Sequence, residues 1–294
     1  MLAIVIPYFK IDFFKETLAS LSNQNDKRFN VYIGNDNSPD DPKELINKSS
    51  FNYTYNKFKN NLGGKNLVRQ WERCIDMVEN EEWVMILGDD DVLEENIVAE
   101  FYNNIEAVKE KGINVIRYGT YKINEKGDKI SEIYKHPIIE TSIDFMFRNT
   151  RSSLSEYIFK KEKIEEIKFK NFPLAWYSDV LAVLEFSEFK DIYSINEVNV
   201  LVRISSLNIS GDKTKKKEKR ISRSMYYSYL LMNKSFYFTS NQKKLLLNML
   251  DKTYINSKKS FFIFFRIFYV HMMVFKFKYF FNFLKNISTS FIKR

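Results

Sequence analysis

Three consecutive aspartates, Asp89 to Asp91, follow an apolar run and a glycine in the stretch WVMILGDDDVLEENI. Adjacent carboxylates repel one another, so such a run needs either solvent or a nearby positive charge. Mg²⁺ and Mn²⁺ prefer these hard oxygen ligands, and a cation held there would bridge a diphosphate. The simpler alternative is a helix start, in which Asp91 is the N-cap and Glu94 completes a variant of the capping box. That alternative accounts for Asp91 but leaves Asp89 and Asp90 unexplained.

Two weaker polar clusters precede the aspartates in the chain. GNDNSPDD places Asp36 after an apolar run, where its carboxylate could accept a hydrogen bond from a base or a ribose. The same residue types also build ordinary turns. NLGGKNLVRQ combines two glycines, which permit close approach of the backbone to a ligand, with Arg69, which could reach a phosphate or a base. A Gly-Gly turn followed by an exposed helical arginine is an equally ordinary explanation.

The surrounding pattern predicts a doubly wound α/β domain. Residues 2–6, 29–33 and 83–87 are apolar runs typical of buried parallel strands. A helix that Asp12 can cap lies between the first two strands, and another helix is predicted from Val92. The three aspartates therefore follow the carboxyl end of a strand, which is where open α/β sheets bind ligands.

The composition narrows the class of protein. The 294 residues include one cysteine, Cys74, and two histidines, so an internal disulfide, a cysteine-based zinc site and a histidine-rich metal site are excluded, and a reducing compartment is expected. Five apolar residues before Pro7, with no basic region ahead of them, do not fit a signal peptide. The sequence has no uncharged apolar run of about 18 residues, so no transmembrane helix is predicted. The net charge of +9 favours an anionic partner: a phosphate ligand, nucleic acid or a membrane surface.

Taken in order, the motifs VIPYFK, LASLSNQ, VYIGNDNSPDD, NLGGKNLVRQ and MILGDDDVL resemble the N-terminal half of the inverting family 2 glycosyltransferases of the GT-A fold, of the type that builds bacterial surface polysaccharides. The resemblance is close over about residues 2–100 and looser to 210. It implies a GT-A catalytic domain over residues 1–210, with a nucleotide-binding half (1–100) and an acceptor half (101–210). The implied fold is a mostly parallel, Rossmann-like sheet flanked by helices, followed by a C-terminal helical extension.

The resemblance also implies donor-binding residues. Pro7 and Tyr8 would line the nucleotide base, and Asp36 would contact uracil, although Asn35 stands where the family usually has a first aspartate. Arg69 would lie near the base or the diphosphate.

The acidic motif of the family is often Asp-x-Asp-Asp, whereas Gly88 precedes the three aspartates in this chain. The resemblance then implies that Asp90 is the main ligand of Mn²⁺ or Mg²⁺. Asp89 would face the ribose or the metal, and Asp91 would support the metal ligands.

On the acceptor side, FPLAWYSDVLAVLEF resembles the segment in which a carboxylate, in this chain Asp179, is the general base. An inverting transfer needs a single base, unlike the carboxylate pair of a hydrolase. Alternatively, Asp179 only occupies the first turn of a helix, where negative charge is favourable. VLVRISSLNIS resembles the end of the catalytic domain, with Arg203 and Ser210 at recurrent positions. Arg203 either faces the diphosphate or pairs with a surface acid.

Residues 211–294 are predicted to form a basic, phenylalanine-rich helical extension. The run after Gly211 is either a mobile flap over the donor or a solvated charged helix. In the last 36 residues, Lys259, Arg266, Lys278 and Lys285 fall on one arc of about 120° if the helix is continuous. This extension either makes peripheral contact with a membrane or packs on the catalytic domain or on a second subunit.

The function predicted on these grounds is a metal-dependent inverting glycosyltransferase, either a hexosyl- or an N-acetylhexosaminyltransferase. It would move a sugar from a nucleotide-diphosphate donor, with a UDP-sugar favoured, to a hydroxyl of a saccharide acceptor. The predicted setting is surface polysaccharide or glycoconjugate assembly on a lipid-linked acceptor, in the cytoplasm at the inner face of the cytoplasmic membrane. An oligomer is compatible with the sequence.

Two other functions stay open at this point. A sugar-phosphate nucleotidyltransferase would need a glycine-rich basic loop after the first strand, and PYFKIDFF has none. A non-enzymatic nucleic-acid or membrane-binding module would explain the charge. It would not explain Asp89 and Asp90, whose carboxylates repel phosphates, so no nucleic-acid partner is predicted.

Overall fold

The computed structural model describes residues 1–148, 150–206, 212, 214–255 and 260–292. The polypeptide forms two compact units. The first comprises Met1–Asn171 and Ser178–Asp212, and the second comprises Phe172–Tyr177 and Lys213–Arg294. The short segment 172–177 therefore belongs with the helical C-terminal region, although the predicted catalytic domain included it.

The first unit contains a central sheet, which has nine strands within the described residues. The strands are β1 (Leu2–Tyr8), β2 (Phe29–Asn35), β3 (Tyr53–Lys57), β4 (Trp83–Ile86), β5 (Val92–Leu93), β6 (Val115–Ile123), β7 (Ile139–Thr141), β8 (Tyr157–Lys160) and β9 (Asp191–Arg203). Their order is β3-β2-β1-β4-β8-β6-β9-β5, and β7 also pairs with β9. The four strands β3, β2, β1 and β4 are parallel, whereas β8 runs antiparallel to both of its neighbours.

Helices cover the faces of this sheet. In the first unit they are α1 (Phe14–Ser22), α2 (Lys43–Ile46), α3 (Leu67–Ile75), α4 (Ile97–Glu110), α5 (Ser142–Arg148), α6 (Lys161–Ile167) and α7 (Ser178–Phe186). The mixed α/β architecture with a C-terminal helical region confirms the predicted fold class.

Alternation along β1 decides which side chains enter the core. Leu2, Ile4, Ile6 and Tyr8 point to the face that also buries Phe14 of α1, whose ring centroid lies 4.6 Å from that of Tyr8. Intervening residues point to the opposite face, because successive side chains of a strand alternate. Pro7 and Tyr8 therefore cannot line the same surface.

Two predicted helix starts are wrong. Helix α1 begins after Phe13 rather than being capped by Asp12. No helix begins at Val92, because residues 92–93 form β5 against β9, and α4 begins only at Ile97 after Asn96. Asp91 is therefore not an N-cap. The pairing of residues 92–93 with β9 overrides the local sequence signal for a helix start.

The second unit is helical. It contains α8 (Lys216–Asn233), α9 (Ser240–Ile255), α10 (Phe261–Met273) and α11 (Phe280–Ile292). The predicted arc of Lys259, Arg266, Lys278 and Lys285 required one continuous helix, but α10 and α11 are separate helices. Lys259 lies outside the described residues. Buried His271 contacts Asp251 through Nε2 at 3.1 Å and stacks on Phe283, so this histidine is a packing residue.

In the parts of the chain that the structure describes, no helix has both the length and the apolar character needed to cross a bilayer.

Candidate active site

A cavity of about 430 Å³ opens at the carboxyl edge of the parallel strands of the first unit. Strands β1 and β2 end side by side, with Tyr8 opposite Asn35, and β4 flanks β1 on its other side. The residues that follow these strands therefore meet at one edge. Six segments of the chain supply the lining, which consists of Pro7, Phe9, Lys10, Asp36, Asn61, Gly63, Gly64, Leu67, Gln70, Trp71, the 86–91 segment, Ser153, Leu154, Ser155, Val202 and Arg203.

Residues 89–91 form what we call the aspartate turn, in which Asp89 and Asp91 flank Asp90 and are both held by hydrogen bonds. Asp89 Oδ2 accepts from the backbone N–H groups of Phe9 and Lys10, each at 2.7 Å. Burial, and then the charge of Asp90, raise the pKa of Asp89 to about 6 in spite of these donors. The cavity edge thus concentrates negative charge that a cation would stabilise.

Asp91 is almost completely buried. Its Oδ1 accepts the backbone N–H of Arg203 at 2.9 Å, and its Oδ2 accepts the hydroxyl of Ser155. Burial and the Asp90 charge raise the pKa of Asp91 to about 7. Both carboxylate oxygens of Asp91 have protein donors, so Asp91 ties the turn to two distant segments. Asp90 lies between the two anchored aspartates and lines the cavity.

Asp36 holds a loop of the cavity formed by residues 61–64, which we call the glycine loop. Its carboxylate oxygens accept the backbone N–H groups of Leu62 (2.6 Å) and Gly63 (2.8 Å), and Asp36 also forms an ion pair with Arg73. A Cβ on Gly63 would lie only 2.7 Å from Asp36 Oδ2, so a glycine is required for this approach. Asp36 lines the cavity and fixes the loop opposite the aspartate turn.

The arginine of helix α3 that reaches this site is Arg73, one turn after the predicted Arg69. Arg69 is exposed and lies outside the cavity lining. Arg73 bonds to Asp36, to the carbonyl of Asn60 at 3.0 Å, and lies over the Phe58 ring at 3.9 Å. Sequence reasoning missed Arg73. The available signal was its spacing of three residues from Gln70, another polar residue on the buried side of the helix.

Of the two residues predicted to line the base, the structure places only Pro7 in the cavity. Tyr8 is fully buried on the other face of β1, and its hydroxyl donates to the carbonyl of Asp40. Strand alternation, as described above, explains the difference. Phe9 and Lys10, which the sequence did not single out, take part in the lining instead.

Arg203 lines the cavity but uses its guanidinium within the protein. Nε donates to the carbonyl of Asp90 at 2.9 Å, Nη1 donates to the carbonyl of Asn124 at 2.8 Å, and Nη2 pairs with Glu16. Of the two predicted alternatives, the structure therefore shows pairing with an acid. Arg203 thus stabilises the aspartate turn through the Asp90 carbonyl. Ser210, the other predicted residue of this segment, lies outside the described residues.

Asp179, which the sequence predicted to be the general base, occupies the first turn of α7 and is half-buried. Burial raises the pKa of Asp179, although backbone N–H groups at the helix start and the charge of Arg151 oppose the rise. The charge of Arg151 also opposes the rise that burial causes in the pKa values of Asp91 and Glu156. Asp179 does not line the cavity itself, but Arg151 is an electrostatic neighbour of both Asp179 and the aspartate turn.

The sequence profile described as glycosyl transferase family 2 matches residues 3–178. The chain belongs to this family. Membership makes the protein a glycosyltransferase, and it sets aside both the nucleotidyltransferase and the non-enzymatic binding module. No protein with a curated description matches the glycosyltransferase.

Solved structures share its fold. A crystal structure of S. aureus TarS superposes with a TM-score of 0.61 at 14% identity, covering 88% of this chain and 43% of the TarS chain. This glycosyltransferase thus spans less than half the length of that protein. A shorter TarS structure, residues 1–349 in complex with UDP, gives a TM-score of 0.55 at 14% identity with coverages of 87% and 80%. The corresponding complex with UDP-GlcNAc gives a TM-score of 0.56 at 14% identity and covers 86% of this chain and 80% of the TarS fragment. At this identity the likeness is one of fold.

The side chains of the aspartate turn are compatible with a divalent cation that is bound partly by the protein and partly by a phosphate ligand. Among the described residues of the glycosyltransferase, no group of three His, Cys, Asp or Glu side chains is arranged to hold a metal ion. The predicted ligand trio is therefore not a preformed cluster, because Asp89 and Asp91 turn to other donors. Mg²⁺ is commonly bound by one or two carboxylates together with substrate phosphates. The hard oxygens of Asp90, with Asp89 beside it, fit a cation that arrives with a diphosphate.

Proposed function

We propose that this glycosyltransferase moves a sugar, with inversion, from a UDP-sugar to a hydroxyl of a saccharide acceptor, and that the donor binds with Mn²⁺ or Mg²⁺. The observation that supports the proposal is the cavity at the carboxyl edge of β1, β2 and β4. There the Asp90 turn and the glycine loop held by Asp36 line the same space. The Asp90 turn offers anionic oxygens to a cation, and the glycine loop allows the backbone to approach a nucleotide closely.

The choice of donor is supported by structures that share the fold. The S. aureus TarS fragment is described in complex with UDP and with UDP-GlcNAc. By analogy, we favour UDP as the nucleotide and N-acetylhexosaminyl over hexosyl as the transferred group. The contact predicted between Asp36 and uracil needs a carboxylate oxygen that can accept a further hydrogen bond alongside its present donors, which two lone pairs per oxygen allow.

Asp90 and Asp89 would hold the cation. When bound, it supplies positive charge next to the diphosphate of the donor. The protein holds the aspartates in place beforehand. Phe9 and Lys10 N–H groups orient Asp89, while Ser155 and Arg203 fix the turn through Asp91.

Asp179 is proposed as the general base. As the acceptor oxygen attacks the anomeric carbon, its proton passes to the Asp179 carboxylate, and the bond from that carbon to the diphosphate oxygen breaks. One displacement inverts the anomeric configuration. A half-buried carboxylate whose pKa is raised is a stronger base than an ordinary aspartate, and this supports the role.

We further propose that the acceptor is lipid-linked, in surface polysaccharide or glycoconjugate assembly. The enzyme would then work at the inner face of the cytoplasmic membrane, with its C-terminal helices in peripheral contact with the bilayer. The exposed aromatic side chains and the positive charge of the second unit support this setting.

The test is UDP binding measured by calorimetry, with and without Mn²⁺, on the intact protein and on Asp90→Ala. The matched control is Asp76→Ala, which removes an exposed aspartate at the end of α3. Mn²⁺-dependent binding that Asp90→Ala abolishes and Asp76→Ala preserves would support the proposal and justify screening UDP-sugars for transfer. Equal Mn²⁺-dependent binding by Asp90→Ala would refute the role of the aspartate turn. Failure of the folded intact protein to bind UDP would refute the choice of donor.

A further inference from the structure

Helix α10 is apolar on both of its faces. On one face Ile263, Ile267, Val270 and His271 are buried within the second unit. On the other face six large apolar side chains have exposed fractions between 36% and 80%. They are Phe261, Phe262, Phe265, Tyr269, Met272 and Met273.

These six residues form a continuous surface, which we call the α10 arc. At 100° per residue they cover about 120° of the helix circumference, and no charged residue falls among them. Arg266 lies at the border of the arc, with its guanidinium 4.8 Å from the Phe262 ring centroid. Single exposed apolar residues are ordinary, but a contiguous patch of this kind marks an interaction surface.

The charge of the second unit indicates what would cover the α10 arc. Residues 213–294 hold nineteen of the 46 lysines and arginines but only two acids, Glu218 and Asp251. Two of these lysines, Lys276 and Lys278, are exposed directly after α10. A second copy of this chain would bring like charges together. An anionic lipid surface would instead attract the cations while it buries the aromatic rings.

We propose that the α10 arc inserts into the headgroup region of an anionic bilayer, with Lys276 and Lys278 at the lipid phosphates. The thirteen residues of α10 span about 20 Å, which is less than the hydrocarbon thickness of about 30 Å, so the helix lies in the membrane plane. The inference extends the proposed function, because it places the enzyme where a lipid-linked acceptor would be. The binding itself requires neither donor nor acceptor.

The experiment is co-sedimentation of the full chain with vesicles of phosphatidylglycerol and phosphatidylcholine, compared with phosphatidylcholine alone. We expect binding only to the anionic vesicles. The variant Phe261→Ser/Phe265→Ser should bind at least tenfold more weakly, because two exposed rings no longer enter the bilayer. Its matched control, Phe236→Ser/Leu245→Ser, removes two exposed apolar residues outside α10 and should bind as the intact protein does.

The lysines are tested separately. Each lysine at an anionic surface is worth about a fivefold change in partitioning, so Lys276→Gln/Lys278→Gln should weaken binding by roughly 25-fold. The control Lys216→Gln/Lys217→Gln makes the same charge change in the first turn of α8 and should have a smaller effect. Equal losses in the test and control variants would overturn the α10 arc as the docking surface.

Three further outcomes would also overturn the proposal. They are equal binding to uncharged vesicles, tighter binding to single-stranded DNA than to the anionic vesicles, and a lipid-free dimer that Phe261→Ser/Phe265→Ser dissociates. As a second readout, Phe265→Trp keeps the surface apolar, and its fluorescence should shift to the blue on anionic vesicles; an unchanged spectrum contradicts insertion. UDP binding is measured on the same preparations, so absence of vesicle binding with UDP binding intact refutes this inference alone.

Discussion

The ion pair between Arg73 and Asp36 provides the sharpest test of how the donor cavity is held together. Arg73→Ala removes a guanidinium whose side chain is 21% exposed from a carboxylate that is 4% exposed. The change also removes a hydrogen bond to the Asn60 carbonyl and the contact with Phe58. The Asp36 carboxylate then stays buried without its counter-charge, held only by backbone donors from the glycine loop.

The expected loss of stability follows from these contacts. Removing one partner of a fully buried pair costs about 3–5 kcal/mol. Partial exposure of Arg73 and the two remaining donors to Asp36 reduce this to about 2 kcal/mol, which corresponds to a fall of about 4–8 °C in melting temperature. The glycine loop would also sample open conformations, so UDP affinity should fall by about tenfold.

The assay combines urea unfolding with UDP calorimetry on Arg73→Ala, Arg69→Ala and Asp36→Asn. Arg69 lies one turn earlier on the same helix and is exposed, so Arg69→Ala should change stability by less than about 0.5 kcal/mol. Combining Arg73→Ala with Asp36→Asn should cost less than the sum of the two single changes, because the amide needs no counter-charge. Additive costs, or an equal effect of Arg69→Ala, would refute the role of the Arg73–Asp36 ion pair in holding the glycine loop.

Three further predictions concern the acceptor side and the glycine loop. Asp179→Asn should lower the rate of transfer by about 10²- to 10⁴-fold while the dissociation constant of UDP stays unchanged; unaltered turnover would exclude Asp179 as the base. Burial raises the pKa of Glu156 from 4.5 in the unfolded chain to about 7 in the folded protein. The contribution of this carboxyl to stability is therefore complete below pH 4.5 and is lost as the pH rises through 7. The unfolding free energy of the intact protein should therefore fall by about 2 kcal/mol more between about pH 5.5 and pH 8 than that of Glu156→Gln, and parallel curves would contradict this. Gly63→Ala places a Cβ 2.7 Å from the Asp36 carboxylate and should weaken UDP binding by about tenfold. Gly64→Ala should bind UDP normally, because the exposed Asn61 side chain that its Cβ would meet can move away; weaker binding by Gly64→Ala than by Gly63→Ala would contradict the requirement for glycine at position 63.

Local pattern was enough to find the edge of the sheet where the cavity lies. The apolar runs at 2–6, 29–33 and 83–87 became β1, β2 and β4, with bounds that differ by at most two residues. Asp36 and the three aspartates consequently follow strand ends that meet in space. Such information is local because a strand buried on both faces needs an uninterrupted apolar run, and its end needs turn residues.

The exact side chains at the site could not be read in this way. Tyr8 and Arg69 are close in sequence to residues that line the cavity, yet both point elsewhere. A shift of one residue on a strand, or of one turn on a helix, leaves the motif unchanged but alters what the side chain contacts.

The sequence by itself thus determined the fold class, the family and the acidic edge of the sheet, since these depend on periodicity and on the order of short motifs. Only the tertiary structure decided that Asp91 bonds to Ser155 and to the backbone of Arg203, 64 and 112 residues away. It also decided that the C-terminal segment breaks into α10 and α11 and leaves one aromatic face exposed. The physical reason is that buried polar groups must find donors and apolar faces must find partners wherever packing brings them, and no local pattern records those distant partners.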